Sequence, residues 1–478
     1  MKTPFLGASY VLKSPNAAAD RCINLYPEAI PQGGKEPAVL YRCPGLESLG
    51  VIGSGPIRGL WAFGGYAYVV SGVALYQIDT NWNATFLGGV TGGGPVSMSD
   101  NGTQLFIAAN PDGFIYNANT STFAQITDPD YPGAVTVGYV DGYFVFNEPN
   151  SQRFWATALL DGTSVEPLDF ASAEGSPDGL VSLLVDHREI WLFGTQSTEV
   201  WYDAGNADFP FSRIQGAYIE QGCAAAYSPA KIDNSVAWLG SDIRGQGIVW
   251  RANGYTPQRI STHAVEYAIS TYSDISDAIG YSYQQGGHQF YVLIFPTGNA
   301  TWVYDASTNL WHERAGYDDV AGVFYRHRSN CQVFFNGKTV VGDYDTGNIY
   351  SMSLNVYADN TSPQKWVKAW RALATGQNDL LRTFQHSLQV DGQTGTGLTS
   401  GQGSDPQVML RWSDDGGHTW SNRHWKPVGK IGETGTRVIW RRLGSTEKLR
   451  DRVYELSGTD PVPVAWTGAE LTASKGHS

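Results

Sequence analysis

The feature that most constrains this chain is a strand pattern that returns every forty to fifty residues. Its clearest copy is DGLVSLLVDHREIWLFGTQSTEVWYD, from Asp178 to Asp203. Leu180–Val185 and Ile190–Phe193 are near-continuous apolar runs, and Thr198–Asp203 sets Val200 and Tyr202 on one side; such runs read as strands buried on both faces. Asp186–Glu189 and Gly194–Ser197 supply the polar and glycine residues of tight turns. An antiparallel meander apolar on both faces must be covered on both, and stacked copies of itself provide that cover. Comparable units begin at Ile57, Val96, Val135, Leu180, Ala226, Ala278 and Val320, spaced 39, 39, 45, 46, 52 and 42 residues apart. Residue identities scarcely repeat between units; the pattern of runs and turns does. The period predicts a β-propeller of six or seven blades.

The chain has 478 residues, more than one ordinary core holds. With 56 Gly, 23 Pro and short apolar runs, the composition fits an all-β protein of more than one domain. Residues 1–50 read as an N-terminal arm, in which AVLYR (Ala38–Arg42) is the strand expected to close the propeller by pairing with its last blade. Residues 51–358 read as the propeller, with THAVEYAIS as a short helical insertion capped by Thr262. From 359 to 478 the period is lost, and longer strand candidates (KWVKAWRALAT, LRTFQHSLQV, PQVMLRWSDD, RVIWRRLG, VPVAWTGAELTAS) predict a separately folding C-terminal β-sandwich, cleavable near 355–363 or in the glycine-rich loop 391–405.

Charge divides along the same line. Residues 1–361 carry 17 Lys and Arg against 34 Asp and Glu, and residues 362–478 carry 15 against 11. The acidic front lacks the clustered cations that grip phosphate. The basic run Arg437, Arg441, Arg442, Lys448, Arg450 and Arg452 is the candidate protein interface, the other reading being a solvated strand.

Motifs for chemistry are weak. Gly337-Lys338-Thr339 lacks the glycine and the helix of a phosphate loop, and Asp343–Asn348 lacks the distal Glu of a calcium loop, so both read as turns. Ser413–Trp420, SDDGGHTW, fits the Asp-box pattern S-x-D-x-G-x-T-W of a hairpin turn, with Asp415 capping backbone N–H groups. Cys22, Cys43, Cys223 and Cys331 are widely spaced and read as buried thiols. His187, His327 and His418 read as solvated turn residues. Trp61, Trp191, Trp201, Trp238, Trp250, Trp302 and Trp311 read as inter-blade packing, with a sugar-binding surface as the alternative. No catalytic, cofactor or metal residue is assigned, and the chain is expected not to be an enzyme. The longest apolar run, six residues, is too short to cross a bilayer, and the N-terminus is not read as a signal peptide.

Several stretches resemble the tail hub or nozzle proteins of short-tailed bacteriophages, also described as packaged-DNA stabilisation proteins or tail accessory factors. They are DGLVSLLVDHREIWLFGTQSTEVWY with IEQGCAA, HAVEYAISTYSDISDAIG, FYVLIFPTGNATWVYDASTNLWHE, WSDDGGHTWS, RVIWRRLG, VAWTGAELTA, INLYPEAIPQ and LYRCPGL. The resemblance implies a virion protein assembled in the host cytoplasm as a hexameric ring below the portal and its adaptor. Such a ring continues the DNA channel, retains the packaged genome, and meets a tailspike or fibre and a plug or needle. DNA would pass through without sequence-specific binding. The alternative is a secreted or virion-associated glycan-binding or glycoside-hydrolase-like propeller.

Overall fold

The computed structural model describes residues 1–173, 175–373, 380–447 and 451–476. It is an all-β structure in which a seven-bladed propeller is joined edge to edge with a β-sandwich. The first blade runs through Ile57–Phe63, Tyr66–Ser71, Ala74–Ile78 and Ala84–Gly89, each strand antiparallel to the next. Blades two to six occupy 97–125, 137–172, 180–219, 222–259 and 279–313. The seventh combines Ser329–Phe335, Lys338–Asp343 and Asn348–Ser353 with a strand from the arm, Gly45–Val51.

Two local devices recur. Innermost strands lie so close that some positions admit only glycine: a Cβ on Gly59 would sit 2.5 Å from Val96 Cγ2, and one on Gly138 2.5 Å from Val185 Cγ2. Where first and second strands are joined by two residues, both adopt positive φ, as in His187 (50°) with Arg188 (62°) and Asp233 (46°) with Asn234 (55°). That turn shape follows the right-handed twist of the strands it joins.

Three expectations need correction. AVLYR does not close the ring: Ala38–Arg42 pairs with Leu25–Ala29 and with Ala465–Lys475 of the sandwich, and the closing strand is Gly45–Val51, just after Pro44. The turn between the two is what sends one strand to each partner. The unit beginning at Val320 starts too early, because Val320 lies in the turn of a separate hairpin, Ala315–Asp318 with Val323–Arg326, and the last blade begins at Ser329. The end region is also not self-contained. One sandwich sheet runs Leu25–Ala29, Ala38–Arg42, Ala465–Lys475, Thr383–Gly392, Val438–Arg441, and the other runs Ala19–Ile23, Trp366–Arg371, Val453–Gly458, Gln407–Ser413, His424–Pro427. Two strands of the first and, with Tyr10–Val11 paired onto Ala19–Ile23, two of the second therefore come from the arm. Phe5, Cys22, Leu25 and Leu40 pack in one core with Trp366, Trp370, Trp440 and Trp466. Ile23 is also paired with Glu313, so the sixth blade's sheet continues without a break into the sandwich.

The helix falls where its sequence places it. His263–Ser270 is capped by Thr262, whose Oγ1 accepts from Val265 N at 3.4 Å, and it buries Ala264, Val265 and Ile269.

Candidate functional site

The basic run of the end region is split by the fold. Val438–Arg441 is the edge strand of its sheet, with Arg441 opposite Ser387 of Thr383–Gly392. Arg442 turns away at a φ of 61°, and its N–H donates to His386 O at 2.8 Å. Arg441 and Arg442 are exposed and line an open depression with Phe384, His386 and Ser474. Arg437, also exposed, donates from Nη2 to Gln389 Oε1 at 2.6 Å.

Arg452 is corrected out of the interface. It is 2% exposed and forks onto Asp414, Nε to Oδ1 at 2.6 Å and Nη2 to Oδ2 at 2.7 Å, while Nη1 donates to Leu443 O at 2.6 Å. Its partners tie the Asp-box turn to the chain leaving the basic strand, which is internal work. Lys448 and Arg450 lie outside the described residues.

The Asp-box forms the connection between Gln407–Ser413 and His424–Pro427. Asp415 Oδ1 accepts from Thr419 N at 2.8 Å and Oδ2 from Thr419 Oγ1 at 2.6 Å, while Ser413 Oγ accepts from Gly417 N at 2.7 Å. The Thr419 hydroxyl, then its N–H, hold the Asp415 carboxyl well below the usual carboxylate range. Trp420 lies under the Arg411 guanidinium, 4.5 Å from its ring centre, and Arg411 forks onto Glu455 at 2.7 Å for each bond. Both oxygens of Asp415 are thus spent on the turn. Asp343 behaves alike, accepting from Asp345 N at 2.8 Å, Arg328 Nη1 at 3.1 Å and Tyr350 OH at 2.6 Å. Among the described residues, no group of three or more His, Cys, Asp or Glu is arranged to hold a metal ion.

Turns of successive blades are tied to one another on one rim. Arg188 Nε donates to Asp141 Oδ1 of the preceding blade at 2.8 Å, and His187 Nε2 meets Asn234 Oδ1 of the following blade at 2.8 Å. His187 Nδ1 lies 2.7 Å from Asp186, whose carboxylate, and then Asn234, draw the imidazole pKa upward. His187 and His418 are exposed as expected. His327 is not: it is 1% exposed, and burial pushes its pKa down to about 3.

Of the tryptophans weighed for a sugar surface, Trp191, Trp238, Trp302 and Trp311 are buried. A groove between the helix and the Ala315–Arg326 hairpin is lined by Tyr267, Tyr272, Trp302, Phe324 and Tyr325, with the Arg21–Glu313 ion pair in its wall. Trp302 Nε1 donates to Tyr272 OH at 3.1 Å. All four cysteines are free; Cys22, Cys43 and Cys223 are buried and Cys331 is half-buried.

Sequence reasoning missed a buried junction. Arg42, at the end of the arm strand, donates to Asp460 O at 2.6 Å, Val462 O at 3.0 Å and Tyr357 O at 2.9 Å, and Gln364 Nε2 donates to Pro44 O at 3.0 Å and Asp359 Oδ1 at 3.3 Å. Propeller closure, linker and sandwich are knotted there. Arg42 stands alone in an apolar strand, and nothing local to it signals the role.

No curated protein matches the chain. Solved structures it is similar to include the computationally designed Ika8 protein (11% identity, 64% of this chain and 99% of that one, TM-score 0.40). The N-terminal domain of Nup159 gives 10%, 72%, 98% and 0.41, and the extracellular domain of BT4673 from B. thetaiotaomicron gives 10%, 86%, 58% and 0.44. Family models are decisive where these are not: one described as bacteriophage P22 Gp10, beta-propeller, matches residues 1–357, and one described as bacteriophage P22 Gp10, beta-sandwich, matches residues 366–474. Matched over both its parts, the chain belongs to the bacteriophage P22 Gp10 family and is a structural protein of a phage tail.

Proposed function

We propose that six copies of the chain form a ring in a short phage tail, the nozzle or hub, which continues the DNA channel below the portal and its adaptor. The ring retains the packaged genome until infection and offers docking surfaces to a tailspike or fibre and to a plug. The observation that carries this reading is the membership of both halves in one phage-tail family, together with a fold that fuses them through shared sheets. The charge division supports the passage of DNA without capture: the body around the propeller has twice as many acidic as basic residues. A conduit that must release its duplex gains from a lining that does not neutralise phosphates, since each neutralised phosphate strengthens binding by counterion release. Assembly in the host cytoplasm is part of the same proposal.

Mass measurement tests the reading. Light scattering of the purified chain, alone and mixed with the adaptor-bearing portal ring of its own phage, is expected to give addition of six copies per portal ring. A chain that stays monomeric and never joins the ring overturns it. The aromatic groove beside Trp302 supports a second reading, glycan binding, and a glycan array answers that separately.

A further inference from the structure

Two surfaces of this chain carry opposite charge and stand on opposite sides of the ring of blades. From residue 59 to residue 187, a span that takes in the second and third blades whole, the sequence holds thirteen Asp and Glu and a single cation, Arg153. From 421 to 445, at one edge of the sandwich, it holds six Lys and Arg and one Glu. The blades follow one another around the ring in sequence order, and the sandwich is joined to the outer strand of the sixth. In a ring of seven, the place across from the sixth blade is the seam between the second and the third.

The acidic side is built at that seam. Residues 157–169 link the third and fourth strands of the third blade and fold back onto the second: Gly162 N–H donates to Gln104 Oε1 at 2.8 Å, and Val165 N–H to Asp128 Oδ2 at 3.2 Å. The link carries three exposed leucines, Leu159, Leu160 and Leu168, the last of them 79% exposed, among Asp161, Glu166 and Asp169. Asp130 is exposed just beyond Asp128. Burial, and then the Glu166 charge, push the Asp169 carboxyl up, the direction a like charge gives. Arg153, the one cation of the span, lies over the Phe170 ring, 4.6 Å from its centre.

The basic side is an edge of the sandwich. Its two sheets end there in Val438–Arg441 and His424–Pro427, held side by side by Trp440 Nε1, which donates to His424 O at 2.9 Å. Arg423, Arg437, Arg441 and Arg442 are exposed on this edge, and so is Trp425, at 57%. Arginine and tryptophan are the side chains that most often anchor a protein interface.

We infer that the basic edge of the sandwich of one copy docks on the acidic seam of the next, Trp425 against the leucines and the arginines against the carboxylates, so that the partner at both surfaces is a second copy of this chain. The inference rests on the ring reading above and adds to it the two surfaces that make the ring. Charge selects the arrangement. Two copies meeting through the same surface would set acid on acid or cation on cation, which repulsion opposes; the contact is therefore head to tail. Head-to-tail contacts close into a cycle when the rotation from copy to copy fits, and surfaces on opposite sides of the chain leave each copy free to give one and receive the other.

Two reversed versions of the full chain test this. One carries Arg441→Glu with Arg442→Glu, the other Asp130→Lys with Glu166→Lys. Each by itself is expected to melt as the wild type does and to lose addition to the adaptor-bearing portal ring, read by light scattering as copies bound per portal ring. Mixed in equal amounts, the two are expected to assemble, because alternation around the ring sets opposite charges at every contact. Should a double reversal fail to fold, Arg441→Glu mixed with Glu166→Lys decides in the same way. Assembly of either reversed chain alone at the wild-type level overturns the inference. So does a mixture that fails to assemble, which would assign the basic edge to the adaptor, to a tailspike or to DNA. A wild-type chain that adds no copies refutes the ring itself, and that result is read without any variant.

Discussion

Gly45 and Ser353 face each other at one end of the ladder that completes the propeller, although 308 positions separate them in the sequence. Gly45 N–H also donates to Val356 O at 2.9 Å. The backbone approach is so close that a Cβ on Gly45 would meet Val356 O at 2.4 Å and Ala358 O at 2.5 Å. Backbone cannot swing aside as a side chain can. Gly45→Ala is therefore expected to destabilise the chain by about 2 kcal/mol or more, seen as a lower melting temperature, while Gly64→Ala, at a turn with open space around its Cβ position, should cost less. Equal melting temperatures for the two variants would sever ring closure from this contact.

Residues 362–478 expressed alone are expected to remain unfolded. They lack Ala19–Ile23, Leu25–Ala29 and Ala38–Arg42, and with them the core side chains Phe5, Leu25 and Leu40. At roughly 2 kcal/mol for each buried apolar side chain, about 6 kcal/mol is missing, comparable with the whole stability of an ordinary domain. Circular dichroism and hydrogen exchange on the fragment decide it. A cooperative melt of the fragment by itself would show that the arm strands are dispensable.

Much of the propeller was legible because both faces of each blade are buried, which writes continuous apolar runs such as Leu180–Val185 into the sequence. The short helix was legible through Thr262 and the spacing of Val265 and Ile269. The closing strand was not. GLESLGV has exposed Glu47 and Ser48 and glycines at both ends of GLESLG, so it has little apolar signal, whereas AVLYR next to it has a strong one. Outermost of the four blade strands and exposed along part of its length, GLESLGV takes its pairing from a partner three hundred residues away. Val453–Gly458 escaped for the opposite reason: all six residues are buried, but Glu455 and Ser457 interrupt the apolar run, and Glu455 is tolerated only through its fork with Arg411. Of the basic run, spacing gave the cluster, but only the fold separates the exposed Arg441 and Arg442 from the internal Arg452.

Asp359 gives the chain a pH signature. Burial raises its folded-state pKa to about 7, against an ordinary carboxylate value near 4 in the unfolded chain. Between these values the folded state holds the proton and the unfolded state has lost it, so this residue's contribution to stability falls as pH rises from about 4 to about 7. Below about 4 both states are protonated and the penalty vanishes. Above about 7 the folded state carries the full cost of a buried charge, of the order of a few kcal/mol. Asp359→Asn keeps the shape and removes the titration. The stability of the variant relative to wild type, measured by urea unfolding, should therefore climb steadily across pH 4–7 and level off above. A difference independent of pH would show that Asp359 titrates normally.

The two kinds of arginine in the basic run should fail differently. Arg452 neutralises Asp414 inside the sandwich and donates to the Leu443 carbonyl, so Arg452→Met leaves a partly buried carboxylate unpaired and is expected to cost roughly 3 kcal/mol or more of stability. Arg441 and Arg442 face solvent. Their reversal, Arg441→Glu with Arg442→Glu, should change stability by no more than about 0.5 kcal/mol, the ordinary range for surface positions. If their role is to orient this chain on a neighbouring subunit or on the adaptor, the doubly reversed chain should fold, melt normally and fail to enter tails, because opposed charges at an interface chiefly set orientation and association rate. The same loss should deepen at low ionic strength, where a reversed charge is felt over a longer distance. Tail assembly at the wild-type rate by the doubly reversed chain would return these two residues to the solvated strand edge on which they sit.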